Sequence, residues 1–152
     1  MTTQISENTT AKIKNLIVIN NDRFEGYKKA ADETTDKDLQ PLFMRYSNQS
    51  KGFADALKIY VNPSELPAEE ETKLSGKIYR VWMDAKAALT ANDRKAILAS
   101  CEFGEDQAKG AYEKEMQESA AFDNELLRLV SQQLSELREA HDYIKSLRNN
   151  AV

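Results

Sequence analysis

Four stretches of this chain return an apolar residue to one helical face at alternating spacings of three and four, and on each stretch a polar residue interrupts the stripe. The interruptions are Asn20, Ser50, Glu105 and Glu136. Each lies about 15 residues from the nearer of two short turns, near residues 35 and 120. Because a helix rises by about 1.5 Å per residue, equal distance from a turn means equal height. An apolar stripe needs a facing partner, and short turns make consecutive helices antiparallel neighbours. The fold class expected is therefore all-α: an up-down four-helix bundle with an additional helix in the long crossover between the second and third bundle helices. Asn20, Ser50, Glu105 and Glu136 would form one polar layer across its interior. The 152 residues suit a single domain with a core over about 10–148.

The first helix is expected over about 10–32, with Ile13, Ile17, Asn20, Phe24, Tyr27 and Ala31 on its seam and Leu16 widening it. Thr34, Thr35 and Asp36 offer capping oxygens for a new start. The second runs over about 38–61 on Leu39, Leu42, Tyr46, Ser50, Phe53, Leu57 and Tyr60, until Asn62-Pro63 stops it. An amphipathic crossover helix is expected from Pro67, with Leu74, Ile78, Val81, Trp82, Ala85 and Leu89 as its narrower stripe and Trp82 as its anchor. Asn92 or Asp93 would cap the next helix, about 93–118, whose inward side is Ile97, Cys101, Glu105, Ala108, Tyr112 and Met116. Gly104 and Gly110 are each unfavourable inside a helix by about 1 kcal/mol relative to Ala, so close approach of another helix is their expected use. The last helix, about 122–148, carries Leu126, Leu129, Val130, Gln133, Leu137, Ala140, Ile144 and Leu147.

Composition narrows the function. Acids and bases are interleaved around a net charge of -4, with no basic tract to follow a phosphate backbone, so no nucleic-acid partner is expected. Cys101 is the only cysteine, which excludes an internal disulfide and a cysteine-rich zinc site. No apolar run approaches the roughly 20 residues that span a bilayer, and Met1–Glu7 lack a basic segment followed by an apolar one. A cytoplasmic protein with no membrane partner is expected. Helical bundles of this kind self-associate, so a homo-oligomer, and a dimer in particular, is expected, with the protein partner unassigned.

Three stretches carry a family resemblance: Asp22-Arg23-Phe24-Glu25-Gly26-Tyr27, Val81-Trp82-Met83-Asp84-Ala85-Lys86, and Cys101-Glu102-Phe103-Gly104-Glu105-Asp106. Ala140-His141-Asp142 near the end agrees. From about residue 10 to 148 the chain resembles the bacterial ferritin-like family known as domain of unknown function 2383. That resemblance implies a ferritin-like four-helix bundle and no particular activity.

A ferritin-type di-iron centre takes a Glu from each of two helices and a Glu-x-x-His pair from each of the other two. His141 is the only histidine, and Arg138 stands three residues before it, so the standard site is absent. A reduced metal site would draw on Glu102, Glu105, Glu136, Glu25 and His141, and an iron or manganese ion is what it would hold. Glu25 is about 10 residues from its turn and Glu105 about 15, roughly 7–8 Å of rise, so all five are not expected to meet. The bland expectation is that Glu102, Glu105 and Glu136 hydrogen-bond to Asn20, Ser50, Gln133 or Arg138 and set helix register. No catalytic or cofactor-binding set is assigned, because a Ser/His/Asp triad would have to use His141 and nothing places a nucleophile beside it. Two functions compete, ahead of a third, an apolar-ligand carrier using a cavity between the helices, which the glycines and aromatic seam residues permit without pointing to it. One is a non-catalytic bundle acting through protein interaction or assembly, tied to stress response by analogy with neighbouring ferritin-like families. The other is a ferritin-like metal oxidoreductase with an incomplete, carboxylate-rich site.

Overall fold

A computed structural model describes residues 7–66, 82, 94–118 and 122–151. The described residues form four long helices and no strand: α1 (Glu7–Glu33), α2 (Leu39–Lys58), α3 (Arg94–Met116) and α4 (Asn124–Asn149). The 3.6-residue stripes account for all four. α2 ends before the expected Val61 because the Tyr60 and Val61 amides turn back to the Leu57 and Lys58 carbonyls at 3.0 and 3.2 Å, tightening the last turn. A short 3-10 turn, Pro63–Glu65, follows, with the Asn62 side chain accepting from the Ser64 amide at 3.2 Å. Asp123 caps α4, its carboxylate accepting from the Leu126 amide at 2.8 Å. The expected caps Asn92 and Asp93 lie outside the described residues. So does the expected crossover helix, except for Trp82, which is helical and fully buried.

Cross-helix contacts fix the directions. Residues pair in opposite order between α1 and α2 (Phe24 with Ser47, Arg23 with Ser50) and between α3 and α4 (Glu102 with Arg148, Tyr112 with Gln133). The same holds between α1 and α3 (Lys12 with Glu115, Arg23 with Glu105) and between α2 and α4 (Gln49 with Glu136, Phe53 with Gln133). Each helix is thus antiparallel to both neighbours. That arrangement requires a long return between α2 and α3, which the 35 residues 59–93 supply. Arg94 ties the start of α3 to the α1–α2 turn by donating to Asp36 at 3.2 Å and to Asp38 at 2.9 and 2.8 Å.

The interior divides into two apolar clusters. One gathers Ile13, Ile17, Leu57, Tyr112, Val130 and Leu137 with their neighbours. The other, toward the α1–α2 turn, gathers Tyr27, Phe43, Trp82, Leu98, Cys101 and Ile144 with theirs. Between them lies a layer of buried polar side chains. Among the described residues no helix is long and apolar enough to cross a membrane.

Candidate functional site

The polar layer is built around a fully buried arginine. Arg23 on α1 meets Glu105 on α3 through two parallel hydrogen bonds, Nε to Oε1 at 2.9 Å and Nη2 to Oε2 at 2.8 Å, and neither side chain is more than 1% exposed. Its Nη1 donates to Ser50 Oγ at 2.7 Å and to the Tyr46 carbonyl at 3.3 Å. The Tyr27 hydroxyl donates to the same Glu105 oxygen as Nη2. The rings of Tyr27 and Tyr46 lie 5.1 and 5.5 Å from the guanidinium carbon, adding aromatic faces to its surroundings.

The hydrogen bonds continue through all four helices. Ser50 donates to Asn20 Oδ1 at 3.0 Å. Asn20 Nδ2 donates to the Leu16 carbonyl at 2.9 Å and to the Tyr112 hydroxyl at 2.7 Å. Tyr112 donates to Gln133 Oε1 at 2.6 Å, and Gln133 Nε2 donates to the Phe53 carbonyl at 3.2 Å. Buried polar groups are costly unless partnered, and here the partners form one connected chain. The electrostatics follow. Burial opposes the charge on Arg23, yet the Glu105 carboxylate together with Tyr27 and Tyr112 outweighs it and the guanidinium pKa is raised. Burial, reinforced by the negative Glu105, pushes the Tyr27 phenol well above its ordinary range. Burial likewise raises Tyr112, against the opposing effects of Asn20 and Arg23.

Trp82 closes this layer on one side. Its ring meets Tyr27 edge-on at 5.0 Å and 81°. It occupies a slot made by two glycines: a Cβ at Gly104 would fall 2.0 Å from the indole, and one at Gly26 2.7 Å. The neighbours in sequence, Tyr27 and Glu105, belong to the hydrogen-bonded layer. Gly104 thus serves a close approach, as expected of it, with the approaching group an indole. Gly110 is exposed, and a Cβ there would meet nothing within 4 Å.

The five acidic and imidazole residues singled out from sequence go to four places. Glu105 lies in the buried layer. Glu102, one turn earlier on α3, faces the α3–α4 edge, where Arg148 pairs with it and His141 lies nearby. Glu136 is half-buried beside α2 and accepts from Gln49 at 3.4 Å. Glu25 is exposed on α1. Asn20, Ser50 and Glu105 share the predicted layer, but α4 contributes Gln133 to it instead of Glu136. Arg23, the central member, escapes the sequence reading because a charged residue beside Phe24 looks solvent-facing; its signal is its position three residues after Asn20. Asp106 escapes it too. It follows Glu102 at i+4, on the same helical face, and approaches His141 Nε2 to 2.6 Å.

A family model for a domain of unknown function (DUF2383) matches residues 8–118. The chain belongs to this family. The DUF2383 match spans the Arg23–Glu105 pair, Ser50, Trp82 and both slot glycines, while α4, with Gln133 and His141, lies beyond it. Comparison with curated proteins and with solved structures gave no match.

Proposed function

We propose that this chain is a non-catalytic, ferritin-like helical bundle that acts through protein interaction or assembly. The observation that carries this reading is the Arg23 guanidinium seated bidentately on Glu105 at mid-height. In a ferritin-type centre that height is where inward-facing carboxylates hold two metal ions. Here a fixed organic cation neutralises the carboxylate, and the layer's other side chains are amide, hydroxyl and phenol groups. These residues do not fit a di-iron pair: one carboxylate is already saturated and no imidazole reaches it. Antiparallel neighbours and the long α2–α3 return support the ferritin-like description. The exposed apolar residues Ile59 and Tyr143, 81% and 49% accessible, support action through the surface.

The test replaces the pair together. A double variant, Arg23→Met with Glu105→Leu, removes the carboxylate without leaving a buried charge alone. The expected result is an unchanged oligomeric state by light scattering, and no iron-dependent oxygen consumption in either protein. Iron or manganese bound stoichiometrically by the unaltered chain and lost in the double variant would overturn this reading.

A further inference from the structure

Outside the interior, three metal-ligating side chains converge on the α3–α4 edge. Glu102 and Asp106, one helical turn apart on α3, and His141 on α4 each bring one ligand atom within 4.8 Å of the other two. His141 is 7% exposed, so its ring is held by packing, whereas Asp106 is half-exposed and free to adjust. The second ring nitrogen, Nδ1, lies 3.1 Å from Asp142 Oδ1. With the proton on Nδ1, where Asp142 can accept it, the Nε2 lone pair faces Asp106 Oδ1, 2.6 Å away. In the other tautomer Nε2–H donates to Asp106; in this one the two facing lone pairs suit a cation seated between them. A carboxylate that orients an imidazole from behind is the arrangement that metal-binding histidines use.

We infer that Glu102, Asp106 and His141 form a binding site for one first-row divalent transition-metal ion of the zinc type, with water completing the coordination. One imidazole with two carboxylates favours such an ion over magnesium or calcium, which prefer oxygen-only shells. The geometry requires small movements. Ligand atoms at about 2.0–2.2 Å from a tetrahedral ion lie roughly 3.3–3.5 Å apart. The Nε2–Oδ1 pair therefore opens by under about 1 Å, and the widest separation closes by at most about 1.5 Å. Glu102 must also exchange Arg148 for the ion. That pair is partly buried, with Arg148 31% and Glu102 15% accessible, so the exchange costs less than breaking the fully buried Arg23–Glu105 pair would. The ion would join α3 to α4 at a turn where the helices are otherwise linked by side-chain ion pairs. The site is separate from the interior layer and does not depend on the scaffold reading above.

Titration of metal-free protein with Zn²⁺ by calorimetry, and with Co²⁺ by visible absorbance, tests the assignment. One equivalent of Zn²⁺ is expected to bind without displacement by equal concentrations of Mg²⁺ or Ca²⁺. Asp106→Asn, at a half-exposed position that folding tolerates, and His141→Ala should each weaken binding at least about tenfold, and Asp142→Asn by about tenfold. Arg148→Met should tighten it by freeing Glu102. The Arg23→Met and Glu105→Leu double variant should bind Zn²⁺ like the unaltered chain, which separates this site from the interior. Failure to take up one equivalent, or undiminished affinity in Asp106→Asn and His141→Ala, would overturn the site.

Discussion

Glu102 and Glu105 stand three residues apart on α3, and each is paired with an arginine, yet their surroundings differ in kind. Glu105 is fully buried, takes two hydrogen bonds from Arg23 and a third from Tyr27, and faces no water. Glu102 and Arg148 meet at the edge, where Arg148 is 31% accessible. The same acid–base chemistry thus serves two purposes. In the interior, desolvation makes each charge dependent on its partner, so the pair dictates how α1 and α3 align. At the edge the pair is partly open, with Glu102 15% accessible, so water can reach a carboxylate that loses its partner.

The largest expected effect tests that contrast directly. Arg23→Met strands the buried Glu105 carboxylate and should cost about 3–5 kcal/mol in urea unfolding, whereas Arg148→Met should cost at most about 1 kcal/mol. Adding Glu105→Leu to Arg23→Met should restore most of the loss, because well-packed apolar replacements of a buried ion pair are often neutral. Equal costs for the two arginines would remove the distinction between interior and edge.

The two glycines of α3 give the next effect, with opposite signs. Gly104→Ala drives a methyl into the rigid Trp82 ring and should destabilise by about 1–3 kcal/mol. Gly110→Ala meets open space and should stabilise by up to about 1 kcal/mol through helix propensity. Thermal denaturation of both variants checks the pair.

Alkaline pH probes the layer by another route. The Tyr112 phenol is raised above its ordinary value of 10.0 by burial. Below that pH both folded and unfolded chains hold the proton. Above it the unfolded chain releases the proton while the folded one keeps it, so stability falls as pH rises. Tyr112→Phe should therefore make the decline above pH 10 shallower by about 1.4 kcal/mol per pH unit, measured by urea titration across that range. The smallest effect belongs to exposed Asp38, whose carboxyl Arg94 holds below its ordinary value of 3.8 through hydrogen bonding and charge. A depressed carboxyl stabilises above its unfolded pKa and loses that contribution as pH falls through the folded one. The difference between the unaltered chain and Arg94→Ala should shrink as the solution is acidified below about pH 4 and with added salt.

Periodicity and distance from the turns suffice to place Asn20, Ser50 and Glu105 in one buried layer, because helix rise converts sequence position into height. They do not choose between Arg23 and Phe24. Both fall within the widened stripe of α1, and hydrophobicity ranks the phenylalanine first; Glu105 across the interface reverses the order. Phe24 is left half-buried with the Lys28 ammonium 5.7 Å from its ring. On α4 the choice between Gln133 and Glu136 turns on rotation about the helix axis, which turn-counting cannot resolve to within one turn. Glu102 and His141 are recognisable in the sequence as ligand types, but their meeting depends on the lateral order of α3 and α4, and Asp106 enters only once that order is known.

The indole slot has a consequence for how the molecule assembles. Gly26 and Gly104 lie 78 positions apart along the chain, so the recess does not exist until both of their helices have come together. Trp82, as the sole tryptophan, is thus a native fluorophore for the final closure step. In a stopped-flow refolding experiment its emission should reach the native value no earlier than the far-ultraviolet ellipticity does.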